Sequence, residues 1–447
     1  MRRFGKALGA FTVAASLTGC GMTGMAGIGS NSFKAHSLKA KADGAEWTIF
    51  LHLAASNNLE PFAYINLNEA EASIDDKKIN FIVLFDGQKK GDSKIMKVVK
   101  DPNGMNKNIV SQTIDDKGAI IPKDTKEIDS GDYKTVSKFV TWGVQNYPAK
   151  KYAFMSWDHG SGLFMPNGQR VNVGPGVDRM ALRQRMRDNN VTITPQGFGW
   201  DDESGNHVTT AQFTDILKAG SAAIGQPFDL AGFDACLMGH VELAYQMQGH
   251  AKNLVASEEL EPGLGWDYNL WMKYLSANVT TDGEGNAAAL IKGYGESYAP
   301  GGAHHGGRQA DITLSNLSYD AVKNDLTPAL NNLAVDLTSQ LASNKAAITT
   351  ARNNAQEFYN SDCADLGSFL GNLESAGVSR DATRAVRAAY KKSVTAETHA
   401  GSGMAGATGA VVYFPKNKWS WKKDYDDAGK IAFSAEKWRG FLVEFIK

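Results

Sequence analysis

"GFDACLMGH", residues 232–240, sets a cysteine directly behind a short apolar run and directly ahead of a helix-period stretch. Behind it, "FDLAGF" (228–233) reads as a strand. Ahead of it, "LMGHVELAYQMQ" puts Val241, Ala244 and Tyr245 at helical spacing. Cys236 is therefore a buried small hydrophobe, half of a disulfide, or a nucleophile held at the edge of a sheet. Four more apolar runs share the character of 228–233: "WTIFLHL" (47–53), "NFIVLF" (80–85), "KYAFMSW" (151–157) and "NLVAS" (253–257). Near-continuous apolar runs of this length are strands covered on both faces. Helical stripes lie between them, Val136, Phe139, Val140 and Val144 in one, Phe213, Ile216 and Leu217 in another behind a Thr cap. This alternation predicts an α/β fold around a mostly parallel sheet.

In an open parallel sheet, reactive groups collect beyond the carboxyl ends of the strands. "KYAFMSW" runs straight into Asp158-His159-Gly160-Ser161-Gly162, and "FDLAGF" into Asp234-Ala235-Cys236. The helix expected at 209–222 lies between these two strands in sequence, so a crossover can make them neighbours and bring an imidazole beside a thiol. A free thiol, with a pKa of about 8.5, is mostly protonated at neutral pH; a neighbouring His and a helix N-terminus both favour the thiolate. Glycines after His159 let the backbone approach a substrate, where an N–H binds a developing oxyanion. Asp158 is left outside the pair, because adjacent residues at a strand end point apart.

The chain has 447 residues, 43% of them hydrophobic, enough for a sizeable core. Its 47 Lys and Arg against 48 Asp and Glu leave no basic footprint, which argues against nucleic acid as a partner. Residues 1–19 read as a targeting segment, with basic "MRRFGK" followed by apolar "ALGAFTVAAS". Leu17-Thr18-Gly19-Cys20 resembles the lipobox of bacterial lipoproteins, which implies acylation of Cys20, a membrane anchor without a spanning helix, and a place in the bacterial cell envelope. An ordinary secretory signal with an incidental cysteine is the alternative. Residues 20–45, rich in Gly, Ala, Ser and Lys, read as a tether. A catalytic α/β domain is expected over 46–280, and a helical region over 281–447 whose closing strand, "ATGAVVYFP", rejoins the sheet.

"SWDHGSGL" and "FDACLMGHVELAYQM" resemble the His and Cys motifs of the clostripain-like cysteine peptidases, relatives of caspases, gingipains and legumains. Similar text continues through "EWTIFLHLAASNNLE", "NYPAKKYAFMSWDHG", "GFGWDDESGNHVTT", "VASEELEPGLGWDY" and "GAVVYFP", covering residues 46 to 445. The resemblance implies a caspase-like three-layer sandwich and cleavage after Arg or Lys through a thioester acyl-enzyme. It makes Cys236 the nucleophile, His159 the general acid/base, and the N–H groups of Gly160 and Cys236 the oxyanion hole. Asp234 and, as a second candidate, Asp267 would receive the basic side chain in the specificity pocket. No cofactor is required; some family members use calcium, for which Asp201, Asp202 and Glu203 are the candidate ligands. Where the family shows Asp-Asn-Asn-like text after the first strand, this chain has "SNNLE", and Asn57 and Asn58 receive no role.

The stretch 164–196 holds five arginines and two acids. It reads as a solvated loop or, given family members cut between their catalytic residues, as a site of self-processing. Cys363 is expected to pack at a helix start, with a Cys236–Cys363 disulfide as the alternative. His304 and His305 in "GGAHHGGR" are metal ligands or a mobile glycine-rich surface. The competing function is a catalytically inactive surface-binding lipoprotein of the same fold.

Overall fold

The computed structural model describes residues 44–163 and 197–447. The targeting segment, Cys20, most of the tether and the 164–196 stretch lie outside the described residues. All five apolar runs are strands: β1 (Ala45–Ala54), β2 (Ile79–Asp86), β5 (Ala149–Trp157), β8 (Leu230–Asp234) and β9 (Asn253–Ala256). They pair in parallel in the order β9-β8-β5-β1-β2. Antiparallel strands extend both sides: β3 (Lys94–Lys97) and β4 (Gln112–Ile114) beyond β2, β10 (Ile312–Ser318) and β12 (Val394–Ala400) beyond β9. Only β3 and β10 oppose the common direction in this nine-stranded sheet.

Side chains alternate across a strand, so each central strand feeds two cores. Phe50 and Phe154 face a core shared with the helices Tyr133–Asn146 and Thr210–Ile224. Ile49, Leu51 and Leu53 face the other, against the helices Glu60–Ser73, Tyr268–Ala277 and Gly283–Tyr298. Helix, sheet and helix make three layers. Thr209 starts its helix with a capping box to Gln212, and Gly225 ends it at φ 82°, a backbone setting that favours glycine.

The sheet and its first core run across residue 280 without a break. Leu330, Phe369, Val386 and Phe441, from four later helices, join the core that holds Phe50, and β10 and β12 extend the sheet. The closing strand, β13 (Val411–Tyr413), does not rejoin the large sheet. It pairs with β11 (Cys363–Asp365). Its Val411 N–H donates to Gly239 O at 2.9 Å, and its Tyr413 N–H to Glu242 Oε1 at 2.8 Å. The small sheet is thereby stitched to the back of the loop that carries Cys236. A second ribbon, β6 (Gly197–Phe198) with β7 (Val208–Thr209), holds the His159 loop: Phe198 bridges Gly160, and Ser161 N–H donates to Gly197 O at 3.1 Å.

Among the described residues, no helix is long and apolar enough to cross a membrane.

Candidate active site

The register Trp157↔Asp234 between β5 and β8 places the His159 and Cys236 segments side by side at the carboxyl edge of the sheet. Asp158 N–H donates to Asp234 O at 3.2 Å and continues the pairing past the strand ends. Beyond it the two backbones nearly touch. A Cβ on Gly160 would lie 2.2 Å from Cys236 O and 3.0 Å from Cys236 N, so this position has room only for glycine. His159 and Cys236, 4% and 5% exposed, line one narrow pocket together with Asp234, Glu261 and Leu59.

Three neighbours fix the histidine loop, and two of them received no role from the sequence. Asn58, four residues past the end of β1, presents Oδ1 to His159 Nε2 at 3.0 Å. Asn57 donates to Asp158 Oδ1 at 2.8 Å, while Asp158 Oδ2 accepts the Trp200 N–H. The Asp158 carboxylate is thus turned onto backbone and amide partners, and the group that orients His159 is Asn58. Its signal in the sequence was position alone, at the mouth of the central strand.

The sulfur has a different environment from the expected one. The helix after Cys236 spans only Val241–Gln246 and starts from His240, so Cys236 does not sit at a helix N-terminus. Leu237 takes φ 65°, strained for a branched residue, and residues 237–239 run along the segment after β9 instead. Leu237 N–H donates to Glu259 O at 3.1 Å, and Gly239 N–H to Ser257 O at 2.7 Å. These bonds use the N–H groups that a helix start would have aimed at the thiol, and the macrodipole reaches only its first turn. The sulfur meets Glu261 instead, which donates its N–H at 3.3 Å.

The pocket floor is acidic. Asp234, 4% exposed, accepts the Tyr268 hydroxyl at 2.9 Å and the Trp266 N–H at 3.2 Å. Burial pushes its pKa up to about 6, and burial together with the Asp234 charge pushes Glu261 well above the carboxylate range. Gly265 (φ 62°) closes over this floor, where a Cβ would lie 2.6 Å from Asp234 Oδ1. Asp267 is not in the pocket: its side chain caps the helix Tyr268–Ala277, accepting from Leu270 N–H at 2.8 Å. A "GWDY" aspartate one residue before a helix is also a cap signal, and the cap takes it.

Asp201, Asp202 and Glu203 do not converge either. Asp201 Oδ1 turns inward to accept Ser56 Oγ at 2.9 Å and two N–H groups of its own turn, while Asp202 and Glu203 stay exposed. Among the described residues, no group of three His, Cys, Asp or Glu side chains is placed to hold a metal. His304 is buried rather than on a mobile surface. Its Nε2 lies 2.7 Å from Glu69 Oε1, and although burial opposes its charge, this carboxylate raises its pKa overall. Cys236 and Cys363 are not joined in a disulfide. Cys363 lies in β11, immediately before the helix Leu366–Ser375, and burial pushes its thiol up.

Comparison with known proteins places the chain in a family and gives its fold relatives. The model of the clostripain family matches residues 51–187 and 184–443. The chain is 26% identical to clostripain from Hathewaya histolytica over 66% of its own length and 56% of clostripain's, so it spans little more than half of that relative. Its fold is similar to that of a secreted C11 cysteine protease from Bacteroides thetaiotaomicron, crystallised with an irreversible peptide inhibitor. The TM-score is 0.62 at 19% identity, covering 88% of this chain and 99% of that one. It is also similar to an inactive zymogen C11 protease from Parabacteroides distasonis, with a TM-score of 0.55 at 15% identity over 89% and 98% of the two chains.

Proposed function

Because the chain belongs to the clostripain family, we propose that it is a cysteine endopeptidase that cleaves peptide bonds after Arg or Lys. The observation that carries this reading is one pocket lined by a thiol, an imidazole and two buried carboxyls: Cys236, His159, Asp234 and Glu261. With the Asn58 carbonyl oxygen facing Nε2, that nitrogen of His159 carries the proton and Nδ1 the lone pair, which makes Nδ1 the base. His159 takes the thiol proton as Cys236 Sγ attacks the scissile carbonyl, then returns it to the leaving amine. The N–H groups of Gly160 and Cys236, held together by the close backbone approach, stabilise the oxyanion. Water then hydrolyses the thioester, with His159 again as base.

Asp234 fixes specificity by meeting a guanidinium or ammonium group in a site without water to compete. The pocket, bordered by the Pro262–Gly265 turn, has a volume of about 30 Å³, room for little more than a water molecule. A larger cavity of about 610 Å³, on the other side of that turn at Leu264, shares no lining residue with the site.

The same specificity makes Arg170, Arg179, Arg183, Arg185 and Arg187 candidate points of self-processing. Lipidation at Cys20 places the enzyme on a membrane surface of the bacterial envelope, and the alternative signal releases it.

A panel of fluorogenic peptides differing only in the residue before the scissile bond tests the specificity. Arg and Lys peptides are expected to exceed neutral ones by about a hundredfold or more in kcat/KM, as a desolvated charge pair provides. Equal turnover of neutral peptides overturns the specificity, and no turnover of any peptide favours the inactive surface-binding protein.

A further inference from the structure

Glu261 acts on the site through two different parts of itself. Its backbone holds the nucleophile, the N–H at 3.3 Å from Cys236 Sγ and the carbonyl at 3.9 Å. Its side chain turns to the pocket floor and is 4% exposed. There Oε1 accepts the Trp266 indole N–H at 3.4 Å, and the buried Oε2 has no hydrogen-bond donor. The group it faces is the Asp234 carboxyl, whose two oxygens already accept Trp266 N–H and the Tyr268 hydroxyl. Two buried carboxyls that face each other repel when both are ionised, and a proton or a cation shared between them relieves this. Among the described residues, the neighbouring side chains supply no such cation. Tyr268 is a neutral donor committed to Asp234, and Tyr298 donates to Gly265 O at 2.9 Å. Glu69 and Asp267 add negative charge, and the nearby His304 imidazole is held by Glu69 at 2.7 Å. His159 and Cys236 also line the pocket, and in the proposed function they serve the reacting carbonyl.

We propose that Glu261 is a second specificity-determining residue, which with Asp234 forms a proton-sharing pair that exchanges its proton for the cationic side chain of the substrate. This inference rests on the Arg/Lys reading above. When the cation arrives, the O–H bond of Glu261 breaks, its proton passes to solvent, and both carboxylates accept from the guanidinium or ammonium group. The pair also makes the pocket self-consistent when empty, since a lone proton satisfies two buried acceptors that would otherwise repel.

The test compares two peptides that differ only in carrying arginine or citrulline before the scissile bond, citrulline keeping the shape and losing the charge. In wild type the Arg-to-citrulline ratio of kcat/KM is expected to climb as the pH rises above about 6, because cation binding releases a proton. In Glu261→Gln the ratio is expected to fall about tenfold or more and to lose this climb. Glu261→Asp, which keeps the charge on a shorter arm, is expected to retain the climb. If Glu261→Gln lowers both peptides alike and leaves the ratio and its pH profile unchanged, Glu261 only positions the loop and the inference is overturned. A wild type that cleaves both peptides equally overturns the Arg/Lys reading itself, which is a different result.

Discussion

Replacing Cys236 with alanine is expected to lower kcat/KM on an Arg or Lys peptide by at least about 10⁴-fold, and His159→Ala by a similar factor. The two side chains act as one unit, since the thiol is nucleophilic only when its proton has somewhere to go. The double variant should therefore be little worse than either single one. Neither change should unfold the protein. The alanine loses one sulfur from a pocket wall, and the cross-strand bonds that shape the loop, Leu237 to Glu259 and Gly239 to Ser257, are made by backbone. Cys363→Ala is the matched control: it removes the other cysteine among the described residues, buried in β11, and should keep its activity. Steady-state kinetics on the three purified variants, with thermal melting to check folding, settles the outcome. A Cys236→Ala protein with substantial thiol-independent turnover would sink the assignment.

The second large effect is expected at Asp234. Asp234→Asn is nearly isosteric and leaves the nucleophile untouched, but it removes the ionised carboxylate that meets the substrate cation. Losing one partner of a buried, hydrogen-bonded charge pair costs about 2–5 kcal/mol, so kcat/KM for Arg and Lys peptides should fall about 10²–10³-fold. A neutral-residue peptide should change less than about tenfold, because it never used that charge. The observable is the ratio between the two. A uniform fall across all peptides would mean that Asp234 holds the loop together through Tyr268 and Trp266 and does not read the substrate.

Much of this site was legible in the sequence because it follows from two simple rules. Apolar runs without polar alternation had to be strands buried on both faces, and the groups that follow such strands collect at one edge. Those rules placed His159, Gly160, Asp234 and Cys236 before any coordinates did. What they missed is equally physical. β10 "ITLSNLS" interleaves Ile312, Leu314 and Leu317 with Thr, Ser and Asn, and β12 "VTAETHA" is mostly small and polar, so neither carries the continuous apolar signature. The stretch after Cys236 has helical spacing, but backbone bonds to residues 257 and 259 take its first turn and delay the helix to Val241. Asn58 and Glu261 reach the site from loops after β1 and β9. Their roles depend on the distance between chain segments that only the sheet order sets. Asp267 was read as a pocket acid, and local geometry makes it a helix cap instead. The glycines around His304 suggested a mobile loop, where in fact Glu69 draws the ring into the interior.

The central claim is that Cys236 is a nucleophile poised beside His159 in a pocket that selects a basic side chain. Mass spectrometry of the intact protein, and of its peptides, after treatment with a substoichiometric peptidyl electrophile ending in arginine tests it directly. A single adduct on Cys236, absent from His159→Ala and much slower with a citrulline-terminated electrophile, is the expected result. An adduct on Cys363, or labelling of Cys236 that ignores both His159 and the charge of the side chain, would contradict it.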